Sequence, residues 1–446
     1  MKMPLLPIEE RKTTFKEVEL GFTQEQALTE SNRCLQCANP SCVTGCPARV
    51  DIPGFIKAFR EGDLVKSAEI IKEKNFFPSI CGRICQHERQ CEGACILAKT
   101  KDPISIGGLE RFIGDNSPLP KKRSATKKNI AVIGSGPSGL SAAAYLSQAG
   151  MHVTVFENSN SFGGVIKYGV PEFRLPKEAV AKELSVLHEL GIDFEPNSKT
   201  GEESLETLSK RFDAVFVGTG VGKARDLDLP GSSLKGIMSA MKFLVNLNQS
   251  GFTMIASGEK VVVVGAGYVG IDAARSALRC GGEVTCITIG TREAALKTVA
   301  AKDYEEAEQE GVHFMFGLKV TGFDGKENVE RVRYVNHVEG ELIADKVIYA
   351  IGQAHDDDPL KAPLRTAASG CIEVNSQHQT TIPNVFAAGD CVHGPKTVIQ
   401  AIATGRDAAK SMLDYLNTKQ ANEALGIGKE APEKIMPKVD VSNKDI

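Results

Sequence analysis

With 446 residues, 42% hydrophobic and 24% charged, the chain exceeds one ordinary core and reads as two or three soluble globular domains. Its formal net charge of −3 supplies no basic field for phosphate backbones, which speaks against nucleic-acid binding. Met1 to Pro7 run straight into Glu9, Glu10 and Arg11 without a signal-length apolar core, and no apolar run could span a bilayer; both point to the cytoplasm and no membrane role.

Residues 1–116 hold eight of the twelve cysteines in two bursts: Cys34, Cys37, Cys42, Cys46, then Cys81, Cys85, Cys91, Cys95. In a large cytosolic chain this density reads as cofactor ligation rather than a disulfide framework. Between the bursts, residues 52–74 place apolar side chains at helical spacing, broken once near Gly62 and Asp63, so the module is expected to be mostly helical. The first burst has ferredoxin-like spacing and ends before Pro47. Thiolates suit iron–sulfur clusters or zinc, and of the two only the clusters carry electrons. Residues 117–128 read as a polar, basic linker.

From Asn129 buried strands and helices alternate. A strand precedes Gly134-Ser135-Gly136-Pro137-Ser138-Gly139, a helix follows, and a second strand ends at Glu157. The three glycines permit the turn, the approach of a pyrophosphate and close helix–strand packing, while Glu157 can accept hydrogen bonds from a ribose. The same unit returns at Lys260 with Gly265-Ala266-Gly267-Tyr268-Val269-Gly270. There the count that reached Glu157 reaches Thr288; Arg292 lies just beyond, beside Glu293, a slight lean to the 2′-phosphate of NADP. Such a tandem suggests one flavin and one nicotinamide, and Gly389-Asp390 after a strand suits the ribityl hydroxyls of FAD. The expected class is α/β: a helical iron–sulfur domain followed by two nested Rossmann-like domains, for FAD (129–235 and 353–418) and NAD(P)H (236–352), with a loosely held tail at 419–446. Cys280, Cys286, Cys371 and Cys391 form no closely spaced redox pair and read as structural, buried thiols, Cys391 being the one to watch.

These features resemble the glutamate synthase small-subunit family, whose relatives include the N-terminal part of dihydropyrimidine dehydrogenase and its separate NAD-dependent bacterial flavoprotein subunit. The markers are Arg33-Cys34-Leu35-Gln36-Cys37, Gly45-Cys46-Pro47, Ile106-Gly107-Gly108-Leu109-Glu110, Tyr168 to Lys177, Asp272-Ala273-Ala274-Arg275 and Ala388-Gly389-Asp390. The sequence around Val284-Thr285-Cys286 and Gly394 to Val398 looks closest to the dihydropyrimidine dehydrogenase subunit; a Tyr-Arg-Arg run usual in the glutamate synthase branch is replaced by Thr288-Ile289-Gly290-Thr291-Arg292. The resemblance implies two [4Fe-4S] clusters: one on Cys34, Cys37 and Cys42 with Glu110, the other on Cys46, Cys85, Cys91 and Cys95, leaving Cys81 without a role. It also implies that Gly164 and Arg174 lie at the FAD, Thr397 near its isoalloxazine, and Gly352 in the crossover near the nicotinamide.

The expected function is an electron-input subunit: NAD(P)H reduces FAD, and electrons leave through the clusters to a partner. That partner would be a flavin-containing dihydropyrimidine dehydrogenase-like subunit, a glutamate synthase large subunit, or ferredoxin. No acid–base catalytic residue is required. A self-sufficient NAD(P)H:acceptor reductase and a cofactor-bearing scaffold are the alternatives.

Overall fold

A computed structural model describes residues 1–100, 102–117, 128–198, 205–250, 254–355 and 363–424. The segment read as a linker therefore lies, over 118–127, outside the described residues, as does the tail beyond Ala424. Up to Ala424 that tail differs from expectation, because the helix Val398–Ala424 runs on into it.

The N-terminal module is helical. Thr23 and Gln26 form a capping box at Gln24–Asn32, and Asp51 and Asp63 cap Ile52–Arg60 and Leu64–Lys72, the two halves of the periodic stretch around Gly62. Helices Pro78–Ile84 and Ile106–Asn116 pack side by side beneath the cysteines.

Four strands open the next unit: β1 (Asn129–Ile133), β2 (His152–Phe156), β3 (Asp193–Glu195) and β4 (Ala214–Val217). There follow β5 (Lys223–Ala224), β6 (Ile237–Ser239), β7 (Lys260–Val264), β8 (Glu283–Thr288) and β9 (His313–Phe316). The remainder are β10 (Lys319–Asp324), β11 (Arg331–Asn336), β12 (Val338–Ile343), β13 (Lys346–Tyr349), β14 (Gln353–Ala354) and β15 (Val385–Ala387). Two parallel sheets result, ordered β15-β4-β1-β2-β3 and β6-β13-β7-β8-β9. Helices cover their faces, which is why β1, β4 and β7 are almost uninterrupted apolar runs. In each sheet the glycine loop follows the strand at which the order reverses, the place where such sheets bind ligands. An antiparallel β10-β11-β12 sheet and a β5–β14 ribbon complete the described strands.

The helical module and the first sheet share one continuous core, from Phe55, Ile80 and Leu109 to Val132, Leu140 and Met412. Polar contacts reinforce the seam. The Tyr145 hydroxyl donates to the Lys72 carbonyl at 3.0 Å, and Arg406 Nη1 donates to the Ala48 carbonyl at 2.7 Å. The second sheet has its own core around Phe243, Val263 and Tyr304. An N-terminal strap reaches it: Phe15 packs on that core, Arg279 donates to the Thr14 carbonyl at 3.0 Å, and Lys302 pairs with Glu19 at 2.5 Å. The helical module and first sheet thus form one body, with the second sheet bound to it through side chains.

Candidate redox site

Both glycine loops are built alike. Gly134 and Gly265 take φ of +93° and +106°, a region costly for any residue with a Cβ. Pro137 and Tyr268 then begin Pro137–Gln148 and Tyr268–Arg279, so each helix N-terminus points into its loop. Glu157 is buried and organised before any ligand arrives. Its carboxylate accepts from Ser135 N (2.9 Å), Ser135 Oγ (2.6 Å) and Ser159 N (2.8 Å).

A cleft of about 1550 Å3 runs between the two sheets. It brings together Gly134, Gly136, Pro137, Glu157, Gly164, Arg174, Asp390 and Thr397 with Tyr268 and Val269 of the second loop. Gly139 and Gly270 sit behind their loops, where a Cβ would lie 1.9 Å from the carbonyl oxygens of Gly134 and Gly265. Gly265, Gly267, Gly389, Gly352 and Arg292 are not part of its lining. Gly389 turns the chain at φ +82° into Asp390, and burial pushes the Asp390 carboxyl up to about 6. Thr397 starts the last helix and donates its hydroxyl to Gln400 Oε1 at 2.8 Å.

Arg174 faces the cleft with its charge already met. Its guanidinium lies 2.7 Å from Asp272 and 3.8 Å from Asp303, both of the second unit. It therefore bridges the two sheets. The Tyr304 hydroxyl donates to the Ala266 carbonyl at 2.5 Å and braces the second loop, a role with no sequence signature.

The cysteine side chains group differently from the sets that the resemblance implies. Cys34, Cys37 and Cys42 line one cavity together with Cys95, among Ile52, Ile56, Ile104 and Ile106. Glu110 instead acts electrostatically on Cys46, Cys81, Cys85 and Cys91. Local hydrogen bonds underlie this grouping. Ser41 Oγ donates to the Ala94 carbonyl at 2.5 Å, which draws Cys95 to the short helix carrying Cys42. Asn75 Nδ2 donates to Glu110 Oε1 at 2.8 Å and holds that carboxylate on the other side. Cys81 is fully buried, its thiol directed at Asn75 Oδ1.

Burial pushes the Cys42 and Cys46 thiols up to about 11 and the Glu110 carboxyl up to about 7. Such donors give up their protons to a cationic centre, and the soft, apolar-walled sets suit iron–sulfur ligation. Among the described residues no group of three or more His, Cys, Asp or Glu side chains is placed to hold a single metal ion. The second set also touches the cleft, since Ile84, Gln86 and Arg89 on either side of Cys85 help to line it.

Of the remaining thiols, Cys286 and Cys391 are buried, and Cys391 donates to the Ala388 carbonyl at 3.2 Å. Cys280 and Cys371 are only half-buried, contrary to expectation: Cys280 caps the end of the helix Tyr268–Arg279, and Cys371 lies beside His355 Nε2 at 3.2 Å. Among the described residues no helix is long and apolar enough to cross a membrane.

Comparison with known proteins fits this anatomy. Residues 11–121 match the family described as dihydropyrimidine dehydrogenase domain II, 4Fe-4S cluster, and residues 128–405 match pyridine nucleotide-disulphide oxidoreductase. The chain is 34% identical to the glutamate synthase [NADPH] small chain of Azospirillum brasilense, covering 93% of this chain and 94% of that one. It is 31% identical to the Escherichia coli protein of the same name, covering 93% and 96%. Mycobacterium tuberculosis FprA in complex with NADPH shares the fold at TM-score 0.54 and 20% identity, covering 69% of this chain and 88% of that one. Lactococcus lactis thioredoxin reductase does so at TM-score 0.54 and 19% identity, covering 66% and 100%.

Proposed function

The chain belongs to the glutamate synthase small-subunit family of oxidoreductases, and on that premise we propose that it is an electron-input subunit oxidising NAD(P)H for a partner protein. When bound, FAD accepts hydride and two [4Fe-4S] clusters carry single electrons. Everything else is positioning by this chain. The first loop and helix N-terminus hold the FAD pyrophosphate, Glu157 its ribose, and Asp390 its ribityl chain. The second loop, braced by Tyr304, presents the nicotinamide dinucleotide across the cleft. Arg174 keeps the facing walls together through Asp272.

Cys46, Cys85, Cys91 and Glu110 would hold the cluster nearer the cleft, and Cys34, Cys37, Cys42 and Cys95 the other. The observation that carries this reading is the continuity from cleft to donor set: Cys85 stands between two cleft-lining residues and packs against the core shared with the FAD unit. The set of Cys34, Cys37, Cys42 and Cys95 emerges at the surface beside the exposed Leu35 and Ile96, where a partner can approach. A glutamate synthase large-subunit-like protein is the partner that the relatives' names support. A dihydropyrimidine dehydrogenase-like subunit and ferredoxin remain the alternatives to test against it.

Anaerobic titration with NADH, and separately NADPH, tests the reading. Flavin bleaching followed by loss of the broad iron–sulfur absorption is expected. Bleaching with only zinc found on the thiolates would leave a simple flavin reductase.

A further inference from the structure

Discrimination between NADH and NADPH belongs to the end of the second strand of the nucleotide unit, not to its glycine loop. The registers of the two units agree there. Ile133 pairs with Phe156 ahead of Glu157, and Val264 pairs with Ile287 ahead of Thr288. A neutral hydroxyl thus stands where the FAD unit has its acid. The loop that follows is latched in place, because Leu318 N donates to the Thr288 carbonyl at 2.9 Å and Gly317 N to the Gly290 carbonyl at 3.0 Å. Thr291 caps the helix Arg292–Leu296, which turns Arg292 toward the next helix, Ala301–Glu310.

There Arg292 meets Glu308. Nη1 donates to Oε1 at 2.6 Å and Nη2 to Oε2 at 2.8 Å, while the guanidinium lies 5.6 Å from the Phe316 ring centroid. These two parallel N–H groups are the fork that arginine offers a phosphate. We propose that Glu308 determines dinucleotide specificity: by filling the Arg292 fork it makes the chain prefer NADH to NADPH. The proposal rests on the reading that the second unit binds a nicotinamide dinucleotide.

The pair's own strength is not the source of the preference. With side chains 44% and 34% exposed, it is a solvent-screened surface pair that adds little by itself. Discrimination comes from charge. A 2′-phosphate bears roughly −1.5 to −2 and would share one guanidinium with a carboxylate. The 2′-hydroxyl of NADH is neutral and meets no such repulsion. Lys297, which lines the cleft one residue beyond the helix, is the cation that could serve a 2′-phosphate instead.

The test is equilibrium binding of ADP-ribose and 2′-phospho-ADP-ribose to the cofactor-loaded chain, by calorimetry. The natural chain should bind ADP-ribose about tenfold tighter or more. Glu308→Gln should narrow the gap about tenfold by strengthening the phosphorylated ligand alone, Glu308→Asp should restore much of it, and Arg292→Gln added to Glu308→Gln should erase the gain. A natural chain that favours the 2′-phosphate, a ratio unmoved by Glu308→Gln, or binding of neither ligand would overturn the proposal. Neither ligand carries hydride, so the ratio is independent of turnover. Flavin bleaching by the full dinucleotides reports separately on the proposed function.

Discussion

Adding one methyl group to each glycine loop should separate the two dinucleotide sites. An alanine Cβ at Gly139 or Gly270 would stand 1.9 Å from the carbonyl oxygen of Gly134 or Gly265. Ordinary C···O contact begins near ~3.3 Å, so the helix must retreat by roughly 1 Å or more. Backbone closes both sides of the gap, and no side chain can swing away to relieve it. Overpacking of this kind costs about 1–3 kcal/mol. Retreat of the helix N-terminus also draws its N–H groups from the phosphates, so a similar loss in affinity corresponds to roughly 5–150-fold. The assay is flavin content after gel filtration, followed by dinucleotide affinity by fluorescence titration. Gly139→Ala should lose flavin. Gly270→Ala should keep flavin and bind the dinucleotide 5–150-fold more weakly, by the same estimate (~). If Gly270→Ala loses flavin while retaining dinucleotide affinity, the two sites have been assigned in reverse; if both variants behave like the natural chain, the close-approach argument fails.

Glu310→Ala would leave Arg275 and Arg279 buried without their shared carboxylate, which now accepts bonds of 2.6, 2.8 and 2.9 Å; a loss of about 3–5 kcal/mol should appear as a lower midpoint in thermal unfolding. Asp390 has its pKa raised from 3.8 to about 6 by burial, so the folded, cofactor-free chain binds that proton more tightly than the unfolded chain. The resulting stability is present below pH ~4 and is lost as pH rises through ~6. Asp390→Asn should therefore stabilise the flavin-stripped chain at pH 7.5 by on the order of 1–3 kcal/mol, read as a higher melting temperature, yet weaken FAD binding. Cys95→Ala and Cys34→Ala should disturb the same electron paramagnetic resonance signal, Glu110→Ala the other one, and Cys81→Ala neither.

Much of the scaffold is legible because it repeats. β1 and β7 begin 131 residues apart, as do the helices at Pro137 and Tyr268. A local pattern of apolar strand, glycine loop and helix suffices to place both loops and Glu157. Ligand grouping is not local. Cys95 lies four residues from Cys91, yet a single bond from Ser41 turns it toward Cys42. Likewise Arg292 looks free in sequence, and its partner Glu308 is 16 residues away on another helix. Arg174 reads as a cofactor contact until its partners, Asp272 and Asp303, show that it also clamps two sheets. Propensity and spacing carry the elements, while side-chain contacts between distant segments decide what each charged group faces.

The strap formed by the first residues also sets an order of assembly in time. Thr14 and Arg279 are 265 residues apart, and Arg11 donates to Gln309 across 298. At about 5–20 residues per second, a ribosome needs roughly 15–60 s to make the missing partners. The N-terminal segment emerges first but cannot dock until the nucleotide unit has folded. The cysteine-bearing module, complete by about Asn116, spends much of that interval without this brace.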